Sequence, residues 1–249
     1  MSADSRPVEH VPEIRHRGPT LAGLLALGLG SSIAPLDTLV NVAFPALSLA
    51  FSKSVAEIQW VIIPFALVQT CLAISFGKIG DRVGHRRVFM LGLLIAAIAL
   101  AGCAWAPSFE ILVIMRVFQG IGTGLVIGVA PALLSWLYPS GQQRRAMAMY
   151  TALFGFGMAI GPLAGGWLVA TFGWPGVFWI RTPIALLALV LMLFQGRIGE
   201  SAEARAARGS LAGKPFDAAG ATLLGIWLLG VVVSANFGAP TLCSRRQPF

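Results

Sequence analysis

The sequence predicts an all-α membrane protein, built as a six-helix transmembrane bundle followed by one further helix. Mean hydropathy is +0.80, and 57% of the residues are hydrophobic while 11% are charged, under half of the roughly 25% that a soluble domain carries. Apolar runs of spanning length recur along the whole chain. Lys and Arg gather in alternate connections between those runs, as the positive-inside rule requires.

Each element follows from these observations. Residues 1–19 are polar, with Arg6, Arg15, His16 and Arg17, and are expected to stay on the cytoplasmic side. A helix crosses the hydrocarbon with roughly 20 apolar residues at about 1.5 Å each. Six such runs fill residues 20–195, near 20–48, 58–76, 88–107, 111–138, 146–172 and 176–195. Several are rich in Gly, Val and Ile, but in lipid only a helix or a closed barrel satisfies its own backbone, and runs this long are not barrel strands. The first is too long for a secretory signal and has no clear small-residue cleavage site. Residues 196–216 read as a polar cytoplasmic linker, 217–238 as a seventh span, and 239–249 as an atypical tail.

Orientation follows from charge. Lys78, Arg82, Arg86 and Arg87 lie in the second connection, Arg144 and Arg145 in the fourth, and Arg197, Arg205, Arg208 and Lys214 in the sixth, against Lys53 alone in the others. That asymmetry puts the even connections in the cytoplasm, and the net charge of +8 reflects it rather than nucleic-acid binding. Trp60, Trp105 and Trp174 then fall at the outer ends, and Trp136 with Tyr138 at the inner end. The basic pair Arg245-Arg246 would emerge outside, which predicts a truncated or frame-shifted reading near Gly238.

Two ionisable residues interrupt the apolar spans. Asp37 lies about 25 Å along the first span from Thr20, and Arg116 about 10 Å along the fourth from Phe109. The two spans run in opposite directions, so in a core of about 30 Å these levels are similar and an ion pair is geometrically possible. The alternatives are a neutral Asp37 hydrogen-bonded to Thr38 or Asn41, and an Arg116 that snorkels or ties helices together. Arg181, about 8 Å into the sixth span, reads as an interfacial anchor rather than a site.

Glycines mark packing. Gly120, Gly124 and Gly128 share one face of the fourth span, and Gly157, Gly161 and Gly165 one face of the fifth, at a spacing that permits close helix contact. Pro162 removes an amide donor inside the fifth span and predicts a bend. Residues Gly77 to Arg87 form a glycine-rich, charged cluster between two apolar runs, expected to be a short cytoplasmic turn. Gly120-Ile121-Gly122-Thr123-Gly124 lacks a preceding strand and the full dinucleotide spacing. Cys71, Cys103 and Cys243 have neither disulfide nor metal spacing. No P-loop or hydrolase elbow is present, so no cofactor is expected and the chain is not read as an enzyme.

These motifs resemble the major facilitator superfamily, in particular the drug/proton antiporters with fourteen helices. Gly77 to Arg87 is similar to the signature loop after the second helix, and Arg116-Val117-Phe118-Gln119-Gly120 to the signature of the fourth. Gly157 through Gly161-Pro162 to Gly165-Gly166 is similar to the antiporter signature of the fifth, and Leu36 to Pro45 to that of the first. Position 181 departs, being Arg where relatives often have Asn. The resemblance implies the N-terminal half of a major facilitator fold. It assigns proton coupling to Asp37 and Arg116, and a gate latch to Gly77, Gly80, Asp81, Arg82, Gly84, Arg86 and Arg87. It further implies export favoured by Gly157, Gly161, Pro162, Gly165 and Gly166. The expected function is proton-coupled efflux of small lipophilic, cationic compounds by alternating access in the plasma membrane, with the small-molecule substrate, protons and the bilayer as partners and no nucleic acid. The alternatives are a truncated, non-transporting remnant or regulatory partner, and nutrient uptake on the same fold.

Overall fold

A computed structural model describes residues 21–138 and 141–195, together with Leu223, Trp227 and Gly230. The expected N-terminal segment, linker and tail lie outside the described residues, as does all but those three residues of the seventh span.

Ten α-helices make up the described chain: α1 (Leu21–Ser32), α2 (Thr38–Val42), α3 (Phe44–Phe51), α4 (Val55–Ile58), α5 (Ile63–Val83), α6 (His85–Ala104), α7 (Phe109–Leu137), α8 (Gln143–Phe172), α9 (Gly176–Trp179) and α10 (Arg181–Phe194). They group into six segments long and apolar enough to cross a membrane, Ala22–Val42, Val55–Ala73, His85–Ala104, Phe109–Ser135, Gln143–Phe172 and Gly176–Phe194. The described residues therefore form a multi-pass helical membrane bundle without strands.

Helix α7 is the centre, packed against α5 on one side and α6 on the other, while α10 bridges α6 and α1, and α8 lies along the middle of the first span. Phe89, Leu93 and Leu100 of α6 and Val126, Val129 and Leu133 of α7 belong to one buried core. Close approach is made by small residues: a Cβ on Gly122 would stand 2.5 Å from the backbone nitrogen of Ala96, and one on Gly128 2.5 Å from the carbonyl oxygen of Ala73. Outside, Leu163, Trp167 and Phe194 are exposed on α8 and α10, as lipid-facing side chains are.

Two expectations are corrected. The first span is not one helix over 20–48, because α1 stops at Ser32 and a 3-10 turn, Pro35–Asp37, intervenes before α2. Pro35 has no amide hydrogen, and its ring opposes a helical carbonyl at Ser31, so the regular ladder cannot continue through it. The cluster from Gly77 to Arg87 is not a turn but mostly helix: α5 runs to Val83, α6 starts at His85, and Gly84 alone joins them. Its φ of 107° is a conformation that side-chain-bearing residues rarely adopt, so a single glycine joins the two helices where a short turn over Gly77 to Arg87 is expected. Helix α8 continues through Pro162 without interruption.

Candidate functional site

The break in the first span delivers Asp37 to the interior. As the last residue of the 3-10 turn, its side chain points away from lipid and is 9% exposed as a residue. Arg116 of α7 meets it through two hydrogen bonds, Nη1 to Oδ1 and Nη2 to Oδ2, both 2.6 Å. This bidentate, charge-assisted geometry is the strongest that the two groups form. Arg116 is wholly buried and its other donors are also placed: Nε donates to the carbonyl of Val61 at 2.7 Å, and Nη1 also to Gln119 Oε1 at 2.8 Å. Phe65 stacks under the guanidinium, 4.1 Å from ring centroid to Cζ. Val61 has a carbonyl to offer because it closes a second 3-10 turn, Gln59–Val61, ahead of α5.

Arg181 corrects the reading of an interfacial anchor. It is fully buried, Nη1 donates to Asp37 Oδ1 at 2.5 Å, and Nε donates to the carbonyl of Val177 at 3.0 Å. Counting residues from Gly176 measures depth along an axis but not the direction in which a side chain leaves it. Here the chain passes from α9 to α10 at Ile180, and the first residue of α10 faces Asp37 rather than the interface. In the sequence, position 181 stands out only as a departure from the pattern that the resemblance implies.

Gln119 is a second residue that position alone did not single out. One turn beyond Arg116 on the same helix face, it accepts from Arg116 and donates from Nε2 to Asp37 Oδ1 at 3.2 Å. Thr38 and Asn41, the alternative partners of a neutral Asp37, are not so used: the Thr38 hydroxyl donates to the carbonyl of Pro35 at 3.0 Å, and Asn41 is exposed.

The cluster joins four spans through Asp37, Val61, Arg116 with Gln119, and Arg181. Among the described residues Asp37 is the one buried carboxylate, set against two buried guanidiniums, so the centre carries one positive charge in excess. Arg181 Nη2 is buried and has no hydrogen-bond partner. Asp37 also reaches a cavity of about 280 Å³ lined by Pro35, Asn41, Gln69, Phe154 and Met158. Asp37 is thus the charged member of the cluster that the cavity reaches.

The sequence profile described as Major Facilitator Superfamily matches residues 20–245. The chain belongs to the Major Facilitator Superfamily. It is 35% identical over 218 residues to the tetracenomycin C resistance and export protein of Streptomyces glaucescens, covering 87% of this chain and 39% of that protein. It is 33% identical over 224 residues to the multidrug resistance protein Stp of Mycobacterium tuberculosis, covering 89% of this chain and 40% of Stp. It is also 31% identical over 169 residues to the riboflavin transporter RibZ of Clostridioides difficile, covering 68% and 37%. The chain thus spans about two fifths of the length of the curated relatives it matches. The proton:xylose symporter XylE has the same fold over 83% of this chain and 52% of its own, with a TM-score of 0.61 and 16% identity. These relatives are named as transporters or as resistance and export proteins.

The family's other motifs sit at two distinct contacts. A Cβ built on Gly157 would lie 3.2 Å from Pro35 Cγ, one on Gly165 3.3 Å from Leu39 and Val42, and one on Gly161 would fall on the hydroxyl of Thr38. The fifth-span glycines therefore seat α8 against the very segment that carries Asp37. Gly166 meets nothing within 4 Å. At the opposite end, a Cβ on Gly77 would meet the carbonyl of Gly128 at 3.5 Å, and one on Gly80 would meet Val129 at 2.8 Å. Asp81 Oδ1 lies 3.3 Å from Nε2 of the buried His85, and Arg86 Nη2 donates to the carbonyls of Met192 at 2.7 Å and Leu193 at 3.4 Å, closing the end of α10. Arg87 is exposed, and the side chain of Arg82 lies outside the described residues.

Proposed function

We propose that this chain forms the proton-responsive bundle of a transporter that exports small lipophilic compounds by alternating access, in the plasma membrane and with its N-terminus in the cytoplasm. The observation that carries the reading is Asp37: one protonatable group that touches the cavity and is bound by arginines from two other spans. Protonation weakens both ion pairs and lets the spans repack, and in this fold such repacking is expressed as rocking of one bundle against another. The coupling is conformational, so it does not require proton and load to share one atom.

Export is supported by the names of relatives, two of which are resistance or export proteins, and by the packing of Gly157, Gly161 and Gly165 on the Asp37 segment. On this reading residues 20–195 are the moving bundle, 196–216 the cytoplasmic linker and 217–238 the first span of a second bundle. Gly77, Gly80, Asp81, Arg82, Gly84, Arg86 and Arg87 latch the cytoplasmic ends. A second reading, uptake, is kept because the relative named a riboflavin transporter carries a name that states no direction.

Reconstitution of the chain in liposomes under an imposed pH gradient tests the proposal. Movement of a lipophilic dye against the proton flow, collapsed by an uncoupler and lost in Asp37→Asn, is the expected result. Dye moving with the protons would favour uptake, and dye binding without any gradient-driven movement would favour the non-transporting alternative.

A further inference from the structure

Two side-chain amides on the membrane spans stand uncommitted. Asn41, one turn beyond Asp37, and Gln69 of α5 both line the cavity beside that carboxylate, and among the described residues neither amide group makes a hydrogen bond. An amide without a partner at membrane depth is costly, and a molecule entering the cavity can supply one. Each amide offers both a donor and an acceptor. The charges of the cluster are arranged differently. Asp37 is the one charged residue of the lining, while Arg116 and Arg181, which are bound to it, are wholly buried and line no part of the cavity. A cation in the cavity has the carboxylate before it and two positive charges behind. An anion has the carboxylate between itself and those arginines. For either sign attraction and repulsion oppose each other, and the ion still gives up its water.

We infer that this cavity takes uncharged aromatic compounds that both donate and accept hydrogen bonds, and that Asn41 and Gln69 are the residues that recognise them. The inference rests on the reading of the cavity as the substrate site, and it departs from the cationic load that the resemblance implies. The aromatic body packs against Pro35, Phe154 and Met158. Its polar edge, such as a carboxamide, pairs with the two amides, and the hydrogen bonds it loses to water are replaced. A hydrocarbon of the same shape leaves both amides unpaired, and an ion of either sign is desolvated without a net attraction in return. Selectivity for the uncharged form thus comes from groups that reach the cavity, with Asp37 already held by its two arginines.

The experiment is equilibrium dialysis of the full chain in zwitterionic nanodiscs at pH 7, corrected by empty discs, against four probes of similar shape: 2-naphthamide, 2-isopropylnaphthalene, 2-naphthoate and 2-naphthylmethylammonium. The amide is expected to bind tightest, about tenfold ahead of the hydrocarbon and of either ion, as two neutral hydrogen bonds provide. Asn41→Leu and Gln69→Leu should each lower the advantage of the amide over the hydrocarbon by about threefold, one hydrogen bond apiece. Either ion binding as tightly as the amide on the unmodified chain overturns the inference, whether or not the variants fold. So does an undiminished advantage over the hydrocarbon in the folded double variant, or no binding of the amide above empty discs. The measurement uses no gradient. Absence of the preference with dye efflux intact would sink the inference about the load alone, and the preference without efflux would sink the transport reading alone.

Discussion

Replacing Asp37 by Asn keeps the shape of the cluster and removes its one negative charge, leaving two buried guanidiniums facing an amide. Unit charges about 4 Å apart at an effective dielectric near 20 interact by about 4 kcal/mol, and breaking a buried pair by deleting one partner typically costs about 3–5 kcal/mol. Asp37→Asn is therefore expected to destabilise the bundle by about 3–5 kcal/mol, since Arg116 and Arg181 lose the same partner together. Arg181→Asn acts differently. It removes the surplus cation, leaves the bidentate pair of Asp37 with Arg116 intact, and forfeits the bonds to Asp37 and Val177. Its cost should be about 1 kcal/mol or less, because the lost bonds and the relieved charge oppose each other.

The two substitutions must then couple. In the double variant a single guanidinium remains unpaired, whereas Asp37→Asn alone leaves two. The double variant should be more stable than Asp37→Asn alone by about 1–3 kcal/mol, a coupling of the size that contacting residues show. The assay is reversible unfolding in mixed micelles of increasing denaturing detergent, followed by helical circular dichroism for all four proteins. A double variant no more stable than Asp37→Asn would refute the account of Arg181 as surplus charge and return it to the role of a structural tie.

Three further predictions rest on packing and backbone. Gly161→Ala is expected to cost about 1–3 kcal/mol because its methyl would meet the Thr38 hydroxyl, whereas Gly166→Ala, with open space around it, should leave the same unfolding midpoint unchanged. Gly84→Ala should cost about 1–3 kcal/mol through its positive φ, read as a lower thermal midpoint in nanodiscs, with the loss absent if the α5–α6 junction can relax. Arg86→Ala should speed amide hydrogen exchange in the last turn of α10 without changing α7, since its guanidinium donates to the carbonyls of Met192 and Leu193, and should cost about 1–2 kcal/mol.

The legible and illegible parts of the sequence divide along a physical line. Spans, glycine faces and the depths of Asp37 and Arg116 follow from one-dimensional quantities, run length and rise per residue, and these suffice because lipid forces each run to be a helix. Three features depend on direction about the axis, which spacing along a broken helix does not give. Pro35 and the 3-10 turn rotate Asp37 inward, the step between α9 and α10 turns Arg181 away from the interface, and Gly84 compresses an expected loop to one residue. Proline, glycine and an out-of-place arginine mark all three places. The signal was present as local chemistry, but its geometric consequence was not.

The location of the cluster at a break in the first span is itself informative. A regular helix would hold Asp37 in register with its own ladder, and moving it would mean moving the whole span. A 3-10 turn between α1 and α2 needs fewer coordinated bonds to change, and α8 approaches it closely at Gly157, which faces Pro35, and at Gly161, which faces Thr38 just beyond it. On the proposed reading, the carboxylate is carried by the most deformable part of the bundle, while Arg116 and Arg181 are carried by longer helices packed in the core. A proton that loosens Asp37 would then displace the turn and its neighbour α8 before it disturbs α6 and α7. Hydrogen exchange at Thr38–Val42 and along the facing side of α8 should therefore rise in Asp37→Asn while the exchange of α7 beyond Gln119 stays slow; equal acceleration in both would mean that the cluster holds the bundle as a whole and that the turn has no separate motion.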